Sequence, residues 1–162
     1  MSMEGSMEAD ASLRQEILNL VPQREPFRFI DEIISMDDEQ IVGAYRFRED
    51  EYFYRGHFPG KPVTPGVILI EAMAQTGVVA FGIYLLSRQK NMRPTQLNMP
   101  LSLFSLADGV EFKQIVFPGE RVIIKGKKIY FRKNVIRAGV SMERENGEII
   151  CFGELSGVGV DQ

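Results

Sequence analysis

The feature that most constrains this chain is an apolar run of twenty residues, Val67 to Leu86 (VILIEAMAQTGVVAFGIYLL), with Glu71 as its only charged residue. Roughly 20 apolar residues is the length at which a helix can cross a bilayer. It is also the pattern of a helix that protein covers on every side. Three features select the second reading. Glu71 and Gln75 lie inside the run, where lipid penalises both. No aromatic belt or basic flank marks its two ends symmetrically. The rest of the chain reads as amphipathic strands that need something to wrap. The expectation is a central core helix and no membrane span.

Around that helix the chain alternates strand and turn signals. Ser12 and Gln15 have capping-box spacing for a short helix whose apolar side is Leu13, Ile17, Leu18 and Leu20, ended by Pro22. Alternation in Phe27–Ile34 (FRFIDEII) suggests a strand, paired through a turn at Asp37 and Asp38 with a second over Gln40–Arg48. Residues 49–65 hold Gly56, Pro59, Gly60, Pro62 and Pro65, too many breakers for one regular element. A long structured loop of this kind is usually functional. Pro65 and Gly66 then open the apolar helix, which runs to about Arg88, and Asn91–Pro100 is a connection. Strands are expected over Leu101–Leu106, Val110–Val116, Arg121–Arg132, Val135–Arg144 and Glu148–Gly157, with turns at Pro118-Gly119 and Asn146-Gly147. The class is α+β, one long helix wrapped by an antiparallel sheet. Residues 1–9 read as a leader and 10–162 as a single domain.

Composition removes several function classes. A net charge of −3 gives no broad basic surface for nucleic acid. Cys151 is the only cysteine and His57 the only histidine, so an internal disulfide is impossible and the common zinc ligand sets cannot be assembled. No metal site is expected, and a cytoplasmic location is.

The stretch Tyr54–Gln75 (YRGHFPGKPVTPGVILIEAMAQ) holds the residues that can do chemistry. His57 sits in a loop stiffened by Gly and Pro on both sides, and histidine is the side chain suited to proton transfer near neutral pH. Glu71 is enclosed by apolar residues, where lost hydration favours the protonated acid. Pro65-Gly66 begins the helix, and its unpaired N–H groups and positive dipole end suit a developing oxyanion. Glu71 follows Gly66 by five positions, roughly 7–8 Å along the axis, so a base, an acid and an oxyanion donor fit one small site. Spacing alone leaves a second reading open: a structural loop histidine and a glutamate within a buried hydrogen-bond network.

The segment GHFPGKPVTPGVILIEAMAQ closely resembles the signature of the FabZ-type beta-hydroxyacyl-acyl carrier protein dehydratases. The likeness extends back through VPQREPFRFIDEI and forward through VEFKQIVFPGERV and GEIICFGEL. It implies the hotdog fold, a curled antiparallel sheet around one long helix. It implies a homodimer with shared active sites, or a trimer of such dimers, in which His57 of one subunit faces Glu71 of the other. His57 would take the alpha proton, Glu71 would help expel the beta-hydroxyl as water, and the Gly66 N–H would bind the thioester carbonyl. Phe58, Pro65, Leu103 and Phe104 would line the substrate site, and Gln75, one turn after Glu71, would position its carboxyl group. The related dehydratase-isomerases place Asp at the Glu71 position. The hydratase branch has Asp five residues before its histidine, where this chain has Tyr52. Hotdog thioesterases generally lack the histidine motif. Three positions depart from the pattern: Thr64 stands where Met is usual, Glu25 where an aromatic is common, and Leu103 where a tunnel-gating Tyr is frequent. They bear on the acyl tail, so a specialised dehydratase of an aryl-polyene-like pathway stays open, as does a non-catalytic acyl-thioester-binding module.

The resemblance names the partner as an acyl carrier protein, with substrate on its phosphopantetheine arm and no further cofactor. Such a carrier is acidic. Lys125, Lys127, Lys128, Arg132, Lys133 and Arg137 form a basic run suited to docking it, although such runs are commonly solvated strand faces. Arg88, Lys90 and Arg93 are a second basic cluster.

Overall fold

The computed structural model describes residues 7–161. The apolar run folds as one helix, α2 (Gly66–Lys90), preceded by α1 (Ala11–Leu20), β1 (Glu32–Met36) and β2 (Gln40–Arg46). After it come β3 (Leu101–Phe112), β4 (Arg121–Arg132), β5 (Val135–Arg144) and β6 (Ile149–Val160). The six strands form one antiparallel sheet in the order β1-β2-β4-β5-β6-β3. The sheet covers α2 on one side, and α1 packs against it as well. This is the α+β hotdog arrangement of one central helix in a curled sheet, and it explains why α2 carries no polar face.

Small residues bring helix and sheet unusually close. A Cβ on Gly77 of α2 would stand 2.5 Å from Val140 Cγ2 of β5, and one on Gly126 of β4 would stand 3.1 Å from the Gly77 Cα. The contact falls in the middle of α2, where Gln75–Ala80 adopt π-helical geometry and are all buried. Local π turns of this kind are often found at functional sites.

Several boundaries differ from the sequence expectation, each for a local reason. Helix α1 is capped by Asp10, whose Oδ1 accepts the Leu13 N–H at 2.8 Å, so Ser12 lies within the helix. Residues 1–6 of the expected leader lie outside the described residues; Ala9, at its end, is buried and its N–H donates to Met36 O at 2.7 Å. The first strand begins at Glu32 instead of Phe27, because the Phe29 N–H and the Phe27 carbonyl bond to the side chain of Gln75. The two strands expected over 101–116 are one, its interruption absorbed by register shifts at Phe104/Leu106 and Asp108/Glu111. Asn146-Gly147 belongs to a three-residue loop with Gly147 at φ +88. The tight two-residue turn is instead Lys133-Asn134, both left-handed, at φ +51 and +60.

The two edges of the sheet are unequal in length and in cover. Strands β4 and β5 alternate buried and more open positions, whereas β3, an edge strand of 12 residues, is exposed almost throughout. It displays Leu101, Leu103, Phe104, Leu106 and Phe112.

Candidate active site

His57 is held by the backbone of its own loop. Tyr52–Arg55 make one 3-10 turn, and the His57 N–H donates to Phe53 O at 3.1 Å. The chain then doubles back: Val63 N–H donates to His57 O at 3.0 Å, and His57 Nδ1 lies 2.8 Å from Val63 O. Between them Phe58 and Lys61 exchange backbone hydrogen bonds, and Gly60 supplies φ +73. The Tyr54 hydroxyl meets Thr64 Oγ1 at 2.7 Å and ties the loop's two sides together, so Thr64 has a partner here. Below lie the packed rings of Phe29, Tyr45, Phe47 and Phe53. The Tyr45 hydroxyl donates to Glu51 Oε2 at 2.5 Å and accepts from Arg48 Nη1 at 2.9 Å. Burial pushes the Glu51 carboxyl above its usual range, with the Tyr45 bond opposing.

The partner of Nδ1 decides what the ring can do. A carbonyl oxygen only accepts, so Nδ1 carries the hydrogen and Nε2 of the neutral ring keeps a lone pair. That nitrogen is an available proton acceptor. The imidazole stacks on the exposed ring of Phe58, with centroids 4.1 Å apart.

Glu71 is held by the core helix. Pro65 sits at the N-cap position, and its carbonyl accepts from the Ile68 and Leu69 N–H groups at 3.0 and 3.2 Å. The N–H groups of Gly66 and Val67 precede the first intrahelical bonds and point out of the helix start. One turn on, Glu71 is half-buried, and lost hydration raises its carboxyl above the usual range; the bond from Gln75 works the other way. Gln75, fully buried, donates from Nε2 to Glu71 Oε1 at 3.0 Å and to Phe27 O at 3.0 Å, while its Oε1 accepts the Phe29 N–H at 2.6 Å.

Not every expected residue meets these groups within one chain. Among the described residues no hydrogen bond joins His57 to Glu71. Leu103 and Phe104 lie toward the start of β3, roughly 25–30 Å along the strand from Phe112. It is Phe112 that touches the helix start: a Cβ on Gly66 would stand 3.0 Å from Phe112 Cζ. Phe112 was not anticipated, although it is the only aromatic in VEFKQ. Of the basic run, Lys125 pairs with Glu143, Lys128 with Glu39, and Arg137 with Glu154 and Asp108. Arg132 covers the Tyr130 ring at 4.9 Å, and Lys133 stands in the hairpin turn. In the second cluster Arg88 is bound to Asp38 and Arg93 to Glu16.

Comparison with known proteins places this geometry in a family. Residues 21–153 match the model of the FabA-like domain. The chain is 36% identical over 144 residues to the 3-hydroxyacyl-(acyl-carrier-protein) dehydratase FabZ of Proteus mirabilis, covering 87% of this chain and 89% of that one. A FabZ of a Roseiflexus species is 34% identical, covering 87% and 92%. Among solved structures, the dehydratase heterocomplex ApeI:P from Xenorhabdus doucetiae superposes with a TM-score of 0.73 at 13% identity, covering 91% of this chain and 92% of that one. A hypothetical thioesterase from Streptococcus pneumoniae superposes at 0.54 and 13% identity, covering 81% and 86%. The structural likenesses concern the fold alone. The family match and the curated relatives span the loop, the helix and most of the sheet together, and on them this chain belongs to the FabA-like domain family.

Proposed function

We propose that this chain is a dehydratase, a hydro-lyase converting (3R)-hydroxyacyl-acyl carrier protein to the trans-2-enoyl thioester and water, in fatty acid or related acyl-chain biosynthesis in the cytoplasm. The observation that carries the proposal is the hydrogen bond from His57 Nδ1 to Val63 O, which leaves Nε2 as a fixed base in the GHFPG loop. His57 Nε2 removes the alpha proton, and the electrons of that C–H bond form the Cα–Cβ double bond as the Cβ–O bond breaks. The departing hydroxyl takes the proton of Glu71 and leaves as water. Charge gathering on the thioester oxygen is held by the Gly66 N–H at the positive end of α2. Return of the proton from His57 to the Glu71 carboxylate restores both groups. Phe58, Pro65 and Phe112 border this space. The thioester itself acidifies the alpha proton, so the reading calls for no metal or organic cofactor beyond the carrier's phosphopantetheine.

The working unit of this proposal is a homodimer. An exposed apolar edge strand of twelve residues is an aggregation hazard unless something covers it. Antiparallel pairing of β3 with β3 of a second copy covers it. That pairing sets Leu103 and Phe104 of one copy opposite the Phe112 end of the other, which is where the sequence resemblance wants them. It also supports a site built from His57 of one chain and Glu71 of the other. For the carrier, the Lys133-Asn134 hairpin is the favoured docking point: among the described residues, Lys127, Arg132 and Lys133 are the members of the basic run without an ion pair. The test is incubation of the protein with 3-hydroxyacyl-carrier protein, following the enoyl product by mass. Turnover is expected; tight binding of acyl-carrier protein with no turnover would leave a binding module in its place.

A further inference from the structure

Two buried hydroxyls meet between the segment that carries the base and the segment that opens α2. The Tyr54 hydroxyl and Thr64 Oγ1 lie 2.7 Å apart, and both residues are buried. Tyr54 belongs to the 3-10 turn Tyr52–Arg55, whose Phe53 carbonyl accepts the His57 N–H. Thr64 stands just before Pro65-Gly66, and its own N–H donates at 2.9 Å to the carbonyl of Val116, a fully buried residue beyond β3. We infer that the Tyr54–Thr64 hydroxyl pair is a positioning contact, holding the His57 loop against the first turn of α2 so that His57 Nε2 and the Gly66 N–H of one chain move as one body. The inference rests on the dehydratase reading for what those two groups do; the contact itself stands on the geometry.

The other bonds across the loop do not supply this. Val63 N–H donates to His57 O and His57 Nδ1–H donates to Val63 O, and both bonds join the same two residues. They set the ring against Val63 but leave the loop free to hinge about that pair. A further bond from residue 54 to residue 64 removes the hinge, and the Val116 carbonyl ties its far end to the sheet. Among the described residues neither hydroxyl makes another hydrogen bond, so each depends on the other. Burial pushes the Tyr54 phenol up to about 12, which keeps it a neutral hydroxyl near physiological pH. Thr64 is also one of the three departures from the family pattern. The usual Met has no hydroxyl to offer Tyr54, so the contact is particular to a chain with Thr here.

The consequence for chemistry is one of alignment. The proton taken and the oxygen held belong to adjacent carbons of one thioester, so the base and the N–H must keep one separation. A misplacement of about 1 Å can cost about a hundredfold in rate.

The first experiment uses the unaltered protein. The Tyr54 hydroxyl hydrogen should appear in its NMR spectrum in slow exchange with water, and vanish in Tyr54→Phe. A hydroxyl that exchanges too fast to be seen overturns the inference. The second experiment separates alignment from packing. Tyr54→Phe and Thr64→Val each strand a buried hydroxyl and should lower the thermal midpoint, while the double variant, apolar on both sides, should regain most of it. Turnover should not follow. In the double variant kcat is expected to stay about ten- to a hundredfold below the parent at nearly constant KM. Thr64→Ser keeps the hydroxyl and should retain most of the parental kcat. Parental kcat in the double variant, or an equal fall in Thr64→Ser, would leave the pair a packing contact and sink the inference. Should the double variant fail to fold, the kcat of Thr64→Ser against that of Thr64→Val decides in its place. A parent that shows the slow hydroxyl but no dehydration ends the functional proposal and leaves the contact standing.

Discussion

The two groups that would share one reaction are held in opposite ways. His57 stands on a half-open loop and is fixed by bonds within eleven residues of chain, Phe53 to Val63. Glu71 stands on the core helix and is fixed through Gln75 to backbone more than forty residues earlier. The base can thus be oriented by local sequence alone, and loosening its loop need not loosen the fold. The acid is oriented by the tertiary structure, and its setting is inseparable from the packing of α2 against the sheet. A loop keeps the proton acceptor hydrated and reachable, while a core position keeps a carboxyl protonated.

The largest effects expected are on turnover. His57→Ala and Glu71→Ala should each lower kcat by about 10²–10⁴-fold, the range for removing a general acid or base. The comparison says more about what happens when the two inactive proteins are mixed and allowed to exchange subunits. Random re-pairing makes half the dimers mixed, and each mixed dimer has one of its two shared sites intact, so about a quarter of parental activity should return. No recovery, with exchange demonstrated, would mean that each chain supplies its own pair.

Next in size is a pair of glycine substitutions, one on each support. Gly77→Ala pushes a methyl group into Val140 at 2.5 Å, and overpacking of this kind costs about 1–3 kcal/mol. Gly60→Ala meets nothing within 4 Å but must hold φ +73, a strain of about 1 kcal/mol confined to the loop. Urea unfolding should show the larger loss for Gly77→Ala, and kinetics the larger loss of kcat per unit of stability for Gly60→Ala. The reverse order would deny that the base is held locally and the acid globally.

The unequal supports also govern what the sequence revealed. The core helix was legible because an unbroken apolar run with an internal Glu and Gln has few other destinations. The His57 loop was legible from its Gly and Pro punctuation, and the base–acid assignment needed the family signature, since spacing alone left a structural reading open. What stayed hidden depends on backbone atoms, which leave no mark in a sequence. FRFI alternates like a strand, but a period of two cannot say whether the partner is another strand or the side chain of Gln75. Phe112 escaped notice because its contact with Gly66 depends on one strand running from Leu101 to Phe112 where two were expected. The basic run was read as one patch, whereas register sets three of its members opposite or diagonal to carboxylates.

The smallest effect is a gain in stability, and it isolates the acid's side of the comparison. Burial raises the Glu71 carboxyl above its ordinary 4.5 in the folded chain. A group raised on folding binds its proton more tightly in the native state, so its contribution is favourable below the unfolded value and is lost as pH climbs through the folded one. Above that window the protein holds an ionised carboxylate in a poorly hydrated place. Glu71→Gln has nearly the same shape, still accepts from Gln75 through its amide oxygen, and never ionises. Its thermal midpoint should match the parent near pH 4, then rise above it as pH increases through the folded value and level off beyond it, while turnover is lost at every pH. A parent more stable than Glu71→Gln at pH 8 would mean that the ionised carboxylate has a favourable partner in the assembled protein, and Glu71 would then not be held as the proton donor.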